Sequence, residues 1–260
     1  MDLLGSLGIA FSMYSRIPVP RIQWTGKRME YAMCFFPLVG FVIGLFYIGF
    51  GWLCGAAQLS ETACACFGAL LPVLVTGGIH MDGFADTVDA LSSFQPREKK
   101  LEILKDPHTG AFAVIGVGCY LLAYAGLFAE LLKTSPKNGI LAFAAVPVIS
   151  RSFSGLSVVS FPKAKKDGLA AAFAGGAKEK AVRGAMAAYL LLAAAYLIWS
   201  AGLWTAVIFF AAALLGFGYY YHMCKKQFGG MTGDLAGYFL QMEELLLLFA
   251  AAAAGKAGLL

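Results

Sequence analysis

The sequence predicts an all-α, polytopic transmembrane helical bundle with about seven spans. Three observations support this fold class. Of the 260 residues, 60% are apolar and only 13% are charged, whereas a soluble domain is roughly 25% charged. Apolar runs of about 20 residues, the length that crosses the hydrocarbon of a bilayer, recur along the chain. The lysines and arginines concentrate in loops between alternate runs, as they do in polytopic membrane proteins.

The spans are predicted from the apolar runs, and residues 1–260 are interpreted as one integral membrane domain. One long apolar block is divided near Ser200 and Gly202 to give the fifth and sixth spans. The first fifteen residues are apolar but too short for a span, so an interfacial or re-entrant segment is expected there. The predicted spans are 31–57, 61–78, 110–132, 138–160, 184–202, 203–221 and 236–255.

The basic residues predict the orientation of the bundle. With these spans, most of the 20 Lys and Arg residues lie on one side of the membrane, and such an excess marks the cytoplasmic side. The net charge of +5 is modest and no basic-aromatic motif is visible, so membrane lipid and an anionic substrate are expected as partners and nucleic acid is not. The basic loops are 16–28, 97–105, 163–183 and 225–226.

An acidic motif directly follows the second predicted span, at its cytoplasmic end. Asp82, Asp86 and Asp89 are spaced i, i+4 and i+7, which places the three carboxylates within about 60° of one another on a helix. Like charges packed in this way repel one another, and a hard divalent cation such as Mg²⁺ would relieve the repulsion. We therefore expect a metal ion at these aspartates. A solvated acidic helix face is the alternative.

Two further segments on the same side place a carboxylate near glycines at the start of a predicted span. Lys105 and Asp106 precede Gly110, and Gly233 and Asp234 come just before the last span. Backbone N–H groups at a helix start favour anions. We expect an anionic substrate that a metal ion bridges to the aspartates, although either segment alone could be a helix cap with a glycine turn.

Other residues of the motif and one buried charge are candidates for substrate contacts. Gly77, Gly78 and Gly83 would let a phosphate or a neighbouring helix approach the backbone closely. His80 could bond a phosphate or transfer a proton, although a lone histidine is more often structural. Arg151 lies inside the fourth predicted span, where a charge usually faces the bundle interior, so we expect it to bind a substrate phosphate. Snorkelling of Arg151 to the surface is the alternative.

These motifs, in this order, resemble those of the cobalamin synthase family, also called adenosylcobinamide-GDP ribazoletransferases. The resemblance covers nearly the whole chain, and its most specific part is Gly-Gly-Ile-His-Met-Asp-Gly-Phe-Ala-Asp-Thr-Val-Asp-Ala-Leu at 77–91. Pro107-His108-Thr109 departs from the family pattern, so no role is carried over to His108. The other matching segments are 16–20, 37–44, 105–106 with 110–112, and 229–230 with 232–234.

The resemblance implies an integral membrane transferase in the cytoplasmic membrane of a prokaryote, with its active site facing the cytoplasm. It implies that adenosylcobinamide-GDP is joined to α-ribazole, or to its 5′-phosphate, with release of GMP and a requirement for Mg²⁺. We expect Asp82, Asp86, Asp89 and Asp106 to hold Mg²⁺. Asp86, Asp89 and Lys105 are the expected catalytic residues, with Asp89 preferred as the general base. Substrate contacts are expected at Gly77, Gly78, His80, Arg151, Gly233 and Asp234.

Three other functional classes fit the sequence less well. A CDP-alcohol-type membrane phosphatidyltransferase also uses an Asp-Gly-rich motif, but that motif continues with Ala-Arg where this chain has Ala85-Asp86. A transporter would carry its carboxylates near the midplane and often show two related halves, and no internal repeat is visible. A structural subunit leaves the aspartates unexplained. The sequence leaves open the choice between α-ribazole and its phosphate, and whether the chain forms a homo-oligomer.

Overall fold

The computed structural model describes residues 2–164 and 176–260, and within these ranges every extended regular element is a helix. One isolated β-bridge joins Lys163 to Met231. The predicted all-α class is therefore confirmed. Lys165 and Lys166, which belong to one of the basic loops used to predict orientation, lie outside the described residues.

Turns of two other helical types adjoin α-helices of the described ranges. A 3₁₀ turn, Met33–Phe35, joins α2 to α3, and a π-helical turn, Cys224–Phe228, follows α10. The α-helices of the described ranges are α1 (Leu3–Tyr14), α2 (Gly26–Ala32), α3 (Phe36–Ala56), α4 (Glu61–Thr76), α5 (Ile79–Ser92), α6 (Arg97–Ile103), α7 (Ala111–Thr134), α8 (Asn138–Phe143), α9 (Val146–Ser160), α10 (Glu179–Met223) and α11 (Gly233–Lys256).

Five helical stretches of the described chain are long and apolar enough to cross a membrane. Helices α4 and α5 pass the same test only as a pair, bent by 101°, and would make a sixth span. Helix α1 is apolar but short, as predicted. This count by length and composition does not confirm the predicted seven spans. The five stretches are Gly26–Ala56, Ala111–Thr134, Asn138–Ser160, Glu179–Phe228 and Gly233–Lys256.

The longest stretch, α10, doubles back on itself at the predicted break. Gly202 leaves helical geometry with φ +84° and ψ 166°. Arg183, near the start of α10, donates a hydrogen bond to the carbonyl of Val159 over 3.2 Å, and the ring of Tyr221, near the end, lies 4.9 Å from that of Phe161. A straight helix would separate residues 183 and 221 by about 57 Å. The two halves therefore cross the bundle in opposite directions, and the total of seven stays a prediction that requires α4 and α5 to form one span.

An aromatic cluster fills the bundle away from the acidic motif. The hydroxyl groups of Tyr47 on α3 and Tyr124 on α7 are hydrogen-bonded at 2.5 Å, and both side chains are fully buried. The rings of Phe128 and Phe143 pack edge to face against each other, with their centroids 5.8 Å apart. This cluster joins α3, α7 and α8, so it fixes the position of α7, whose other end contacts Asp89 of the acidic motif.

Candidate active site

Two glycines form the sharp turn that orients the acidic motif. Gly77 and Gly78 have φ of +68° and +81°, which residues with a side chain rarely adopt, and they allow the 101° bend between α4 and α5. A Cβ atom at Gly77 would lie 2.6 Å from Nε of Arg16. The backbone N–H of Arg16 donates to the carbonyl of Val75 over 2.8 Å, which fastens this arginine beside the turn. Gly77 thus makes room for a basic side chain at the start of the motif.

The motif helix α5 crosses α11 at a second pair of glycines. A Cβ atom at Gly83 would lie 2.8 Å from the carbonyl oxygen of Asp234, and one at Gly237 would lie 2.9 Å from the carbonyl oxygen of His80. Neither distance is acceptable for a real Cβ atom, so only glycines permit this crossing. Of the two partners considered for Gly83, a phosphate or a neighbouring helix, the structure shows a helix. The crossing brings Asp234 beside α5.

Negative charge concentrates at this crossing. Asp82 is exposed and Asp86 is partly buried on α5, a helix of 14 residues that is too short to span a bilayer by itself. Burial, together with the charges of Asp82, Asp234 and Asp89, raises the pKa of Asp86 to about 6. The predicted meeting of Asp234 with the α5 aspartates is thus present in the structure. Across residues 2–164 and 176–260, however, no three His, Cys, Asp or Glu side chains already form a group that could hold a metal ion.

Asp89 has a different position from its neighbours on α5. Its Oδ2 accepts a hydrogen bond from the backbone N–H of Gly110 over 2.6 Å, and its Oδ1 accepts one from Ala113 over 2.9 Å. The carboxylate therefore caps the N-terminus of α7 from a neighbouring helix, where it also meets the positive end of the helix dipole. Gly110 is required here because a Cβ atom would lie 2.3 Å from the carboxylate. This arrangement favours a structural role over the general-base role predicted for Asp89.

Asp106 and Lys105 lie in the exposed loop between α6 and α7. Oδ1 of Asp106 accepts a hydrogen bond from the backbone N–H of His108 over 2.9 Å and lies 2.7 Å from Nδ1 of its ring. These contacts with His108 lower the pKa of Asp106. The carboxylates whose charges act on Asp86 are Asp82, Asp234 and Asp89, so the structure does not bring Asp106 into the acidic group.

His80 lies at the inner end of a cavity of about 190 Å³. Its side chain is 5% exposed, and its Nε2 atom has no hydrogen-bond partner among the described residues. The ring lies 6.1 Å from that of Tyr14 and 5.9 Å from that of Phe36, measured between centroids. Asp82 and Asp234 also line this cavity, so the predicted contacts His80 and Asp234 share one concave site.

Arg151 is buried in the bundle rather than presented to the cavity mouth. Its Nη1 atom lies 2.6 Å from Oε1 of Glu244, and the two residues are 1% and 3% exposed. Nη1 also donates to the carbonyl of Pro147, and the hydroxyl of Ser150 donates to Glu244. A fully desolvated ion pair of this kind neutralises the guanidinium. The structure therefore places the predicted phosphate ligand in an internal ion pair, as is common for charges inside a membrane protein.

Sequence reasoning gave no site role to Arg16, Tyr14 or Ser154, which the structure places around the motif. Arg16 was predicted only as part of a basic loop and of a family segment, and it is about 60 residues away from Gly77 in the chain. A basic residue just after a short apolar helix was the available signal. Ser154 lies on α9, and nothing in its local sequence distinguishes it from the other serines of that helix.

Comparisons with known proteins agree with these features. A family model described as cobalamin-5-phosphate synthase matches residues 6–252. A protein of Lachnoclostridium phytofermentans named adenosylcobinamide-GDP ribazoletransferase is 46% identical over 250 residues, which is 95% of this chain and 92% of that protein. Proteins with the same name from Clostridium perfringens strain SM101 and Azorhizobium caulinodans are 33% and 32% identical, over 92% and 95% of this chain and 94% of each relative. No solved structure matches the chain.

Proposed function

Because the chain belongs to the cobalamin-5-phosphate synthase family, we propose that it is an adenosylcobinamide-GDP ribazoletransferase. One structural observation supports the proposal independently of family membership. The acidic group of Asp82, Asp86 and Asp234 lies at a glycine crossing, beside a cavity, and the Arg16 side chain lies against the turn that precedes it. This combination suits a substrate that contains a diphosphate, since a metal ion held by the carboxylates and a basic side chain can both bind its oxygens.

The reaction proposed is a displacement at phosphorus. A ribose hydroxyl of α-ribazole, or of its 5′-phosphate, forms a bond to the phosphorus that carries the cobinamide. The bond from that phosphorus to the oxygen it shares with GMP breaks, and GMP leaves. The hydroxyl proton passes to a carboxylate of the acidic group. Asp234 is the proposed acceptor because it lines the cavity beside Asp82, whereas both oxygens of Asp89 accept backbone hydrogen bonds.

The residues of the crossing fit Mg²⁺. Magnesium is usually held by one or two carboxylates together with waters and substrate phosphates, so a complete protein cage is not required. Asp82 and Asp86 are the proposed ligands, and burial of Asp86 among like charges favours a cation there. When bound, the ion would neutralise negative charge on the diphosphate and on the leaving group. Asp89 and Asp106, which were also predicted as ligands, are engaged with Gly110 and with His108.

Arg16 is the proposed contact for a non-bridging phosphate oxygen. Its side chain lies against Gly77, at the turn that leads into the motif, and it is exposed. Arginine presents a planar fork of donors that matches phosphate oxygens. Arg151, predicted for this task, instead stabilises the bundle through Glu244. The exposed Lys105 stays a prediction as a second cation.

We also propose that the chain lies in the plasma membrane of a prokaryote with its active site facing the cytoplasm. The basic loops next to the motif support this orientation. Glu98→Cys lies on the exposed surface of α6, and Lys137→Cys, in the loop before α8, is its matched control on the opposite side. An impermeant maleimide added to intact cells should label Cys at 137 above the background of the unaltered chain and leave position 98 unlabelled. Labelling of position 98 alone would reverse the orientation.

The direct test of the function is release of GMP by purified protein given adenosylcobinamide-GDP and α-ribazole. Release should require both substrates and Mg²⁺, and excess chelator should abolish it. Absence of release from protein that elutes as a single folded species would contradict the proposal. Release of CMP from a CDP-activated lipid by the same preparation would identify the alternative, a CDP-alcohol-type phosphatidyltransferase.

A further inference from the structure

The cavity beside the acidic group runs from an exposed mouth to a buried end. Asp82 and Gly233 lie at the exposed mouth, while Phe36, His80 and Ser154 are buried. The volume of about 190 Å³ is smaller than the roughly 300–1,000 Å³ of pockets that enclose drug-sized ligands. The corrin ring and a complete nucleotide are therefore too large for it, and a single flat ring system remains.

The walls of the cavity are mostly apolar and adaptable. Met13, Met33 and Met231 line it, and methionine side chains adjust to the shape of a ligand and make favourable contacts with aromatic rings. The rings of Tyr14 and Phe36 pack against each other, with centroids 4.3 Å apart, and lie 6.1 and 5.9 Å from the ring of His80. Such walls suit the faces and edges of an aromatic ligand that carries few polar atoms.

One polar atom at the buried end is left without a partner. Nε2 of His80 has no hydrogen bond within residues 2–164 and 176–260, although the side chain is more than nine-tenths buried. Buried polar atoms in native proteins are almost always hydrogen-bonded, so an exception at a cavity wall indicates a ligand atom that supplies the bond. The complementary ligand has one hydrogen-bonding atom on its ring, within reach of this nitrogen.

The proposed reaction offers two ring systems of this size, and they differ in polarity. Guanine, in the leaving group, carries several donors and acceptors, each of which would need a partner if buried. The benzimidazole-type base of α-ribazole has apolar edges and one ring nitrogen that is free to accept a hydrogen bond. A mainly apolar cavity with one unpartnered histidine nitrogen matches the second base and leaves the polar atoms of the first unsatisfied.

We propose that this cavity binds the bicyclic base of α-ribazole, with the Nε2–H group of His80 donating a hydrogen bond to the base's ring nitrogen. The inference rests on the proposed function and assigns the acceptor subsite. With its base against Phe36 and Ser154, the nucleoside directs its ribose towards the mouth, where Asp82 and Asp234 lie. The cavity thereby positions the attacking hydroxyl and selects the base.

Two variants test this assignment by steady-state kinetics with each substrate varied in turn. His80→Phe keeps a ring beside Tyr14 and Phe36 but removes the hydrogen bond, and Ser154→Leu fills the buried end. Each should raise the KM for α-ribazole by about tenfold or more, a change equal to the loss of one good hydrogen bond, and leave the KM for adenosylcobinamide-GDP within about twofold. His222→Phe, at an exposed position outside the cavity, is the matched control and should change neither constant.

Equilibrium dialysis separates this inference from the proposed function. The protein without adenosylcobinamide-GDP should bind α-ribazole, the free benzimidazole base should compete, and His80→Phe should weaken binding by about tenfold. Active wild-type protein whose variants keep the wild-type KM for α-ribazole, or raise only that for adenosylcobinamide-GDP, would overturn the subsite assignment. Absence of GMP release from wild-type protein that still binds α-ribazole would overturn the proposed function alone. If Ser154→Leu does not fold, His80→Phe decides the matter.

Discussion

Helix α11 carries three acidic residues, and two of them, Asp234 and Glu244, have sharply different environments. Glu244 is buried in the bundle and paired with Arg151 at 2.6 Å, so its charge is balanced by the protein itself. Asp234, at the start of the same helix, adds its charge to those of Asp82 and Asp86. The comparison shows that a charge inside a membrane protein does not by itself indicate a functional site. An excess of charge of one sign, beside a cavity, is the feature that indicates a ligand of the opposite sign.

The largest effect on stability is expected from breaking the ion pair between Arg151 and Glu244. Arg151→Leu leaves Glu244 buried without its partner, which should lower the free energy of unfolding by about 3–5 kcal/mol. Activity should be lost through the fold, and thermal unfolding in detergent measures the change. The double variant Arg151→Leu/Glu244→Leu should recover most of the stability. If Arg151→Leu is as stable as the wild type but binds adenosylcobinamide-GDP weakly, Arg151 is a substrate ligand and the comparison fails.

The acidic group of Asp82, Asp86 and Asp234 places charges of the same sign together, and we call it the unbalanced group. A substitution there should reduce activity without reducing stability. Asp86→Asn removes a proposed metal ligand, and the rate of GMP release should fall by about 10²–10³-fold. Its thermal stability should be unchanged or slightly higher, since repulsion among the carboxylates decreases. Asp106→Asn, in the exposed loop, is the control and should stay within about threefold of the wild-type rate. Equal rates for Asp86→Asn and the wild type would remove Asp86 from the active site.

The glycine crossing that builds the unbalanced group should be sensitive to one methyl group. Gly237→Ala places a Cβ atom against the carbonyl of His80 and should cost about 1–3 kcal/mol of stability while slowing GMP release. Gly218→Ala, on α10 with no heavy atom within 4 Å of the added carbon, should be neutral or stabilising. Paired thermal unfolding and activity measurements test this. Similar behaviour of the two variants would mean that close approach of α5 and α11 is not required.

A smaller effect is expected at the cation beside the motif. Arg16→Gln removes a proposed phosphate contact and should raise the KM for adenosylcobinamide-GDP by about tenfold. The KM for α-ribazole should stay the same, and Arg21→Gln in the same loop serves as the control. If Arg16→Gln leaves the KM for both substrates unchanged, Arg16 does not bind the diphosphate and the assignment is wrong.

The smallest effect is expected at Asp89, whose carboxylate caps α7. Asn keeps one of the two oxygens that accept backbone hydrogen bonds, so Asp89→Asn should cost about 1 kcal/mol of stability, the net contribution of one hydrogen bond, and keep its rate within a few-fold. Asp89→Ala, which removes the cap, should cost about 0.5–2 kcal/mol. A fall of the Asp89→Asn rate by a thousandfold or more, with unchanged stability, would restore the general-base role predicted from the sequence.

Local patterns predicted the parts of the fold that depend on local physics. The apolar runs located the membrane helices, and the split placed near Gly202 matches a backbone break at that glycine. Length and composition, by contrast, left the number of spans between five and six. Length and composition do not show the direction in which each half of α10 crosses the bundle. The reversal of α10 is visible only from its contacts with Val159 and Phe161.

The site was predicted only in part, because local spacing locates some of its residues while other contacts join residues far apart in the chain. The i, i+4, i+7 spacing located Asp82 and Asp86, and the glycines beside Asp234 indicated the second segment. The roles of Asp89 and Arg151 could not be predicted, because their partners Gly110 and Glu244 are 21 and 93 residues away in the chain. The acceptor cavity is equally non-local, since its lining comes from α1, α3, α5, α9 and α11 and from the segments beside them.

The most direct test of the central claim is metal binding rather than turnover. Mn²⁺, a paramagnetic substitute for Mg²⁺, can be counted by electron paramagnetic resonance on protein saturated with adenosylcobinamide-GDP. The wild type and the double variant Arg151→Leu/Glu244→Leu should bind Mn²⁺ with similar affinity, whereas Asp82→Asn and Asp86→Asn should bind it at least about tenfold more weakly. Equal binding by all four proteins, or loss of binding only when Glu244 is removed, would contradict the assignment of the metal to the unbalanced carboxylates.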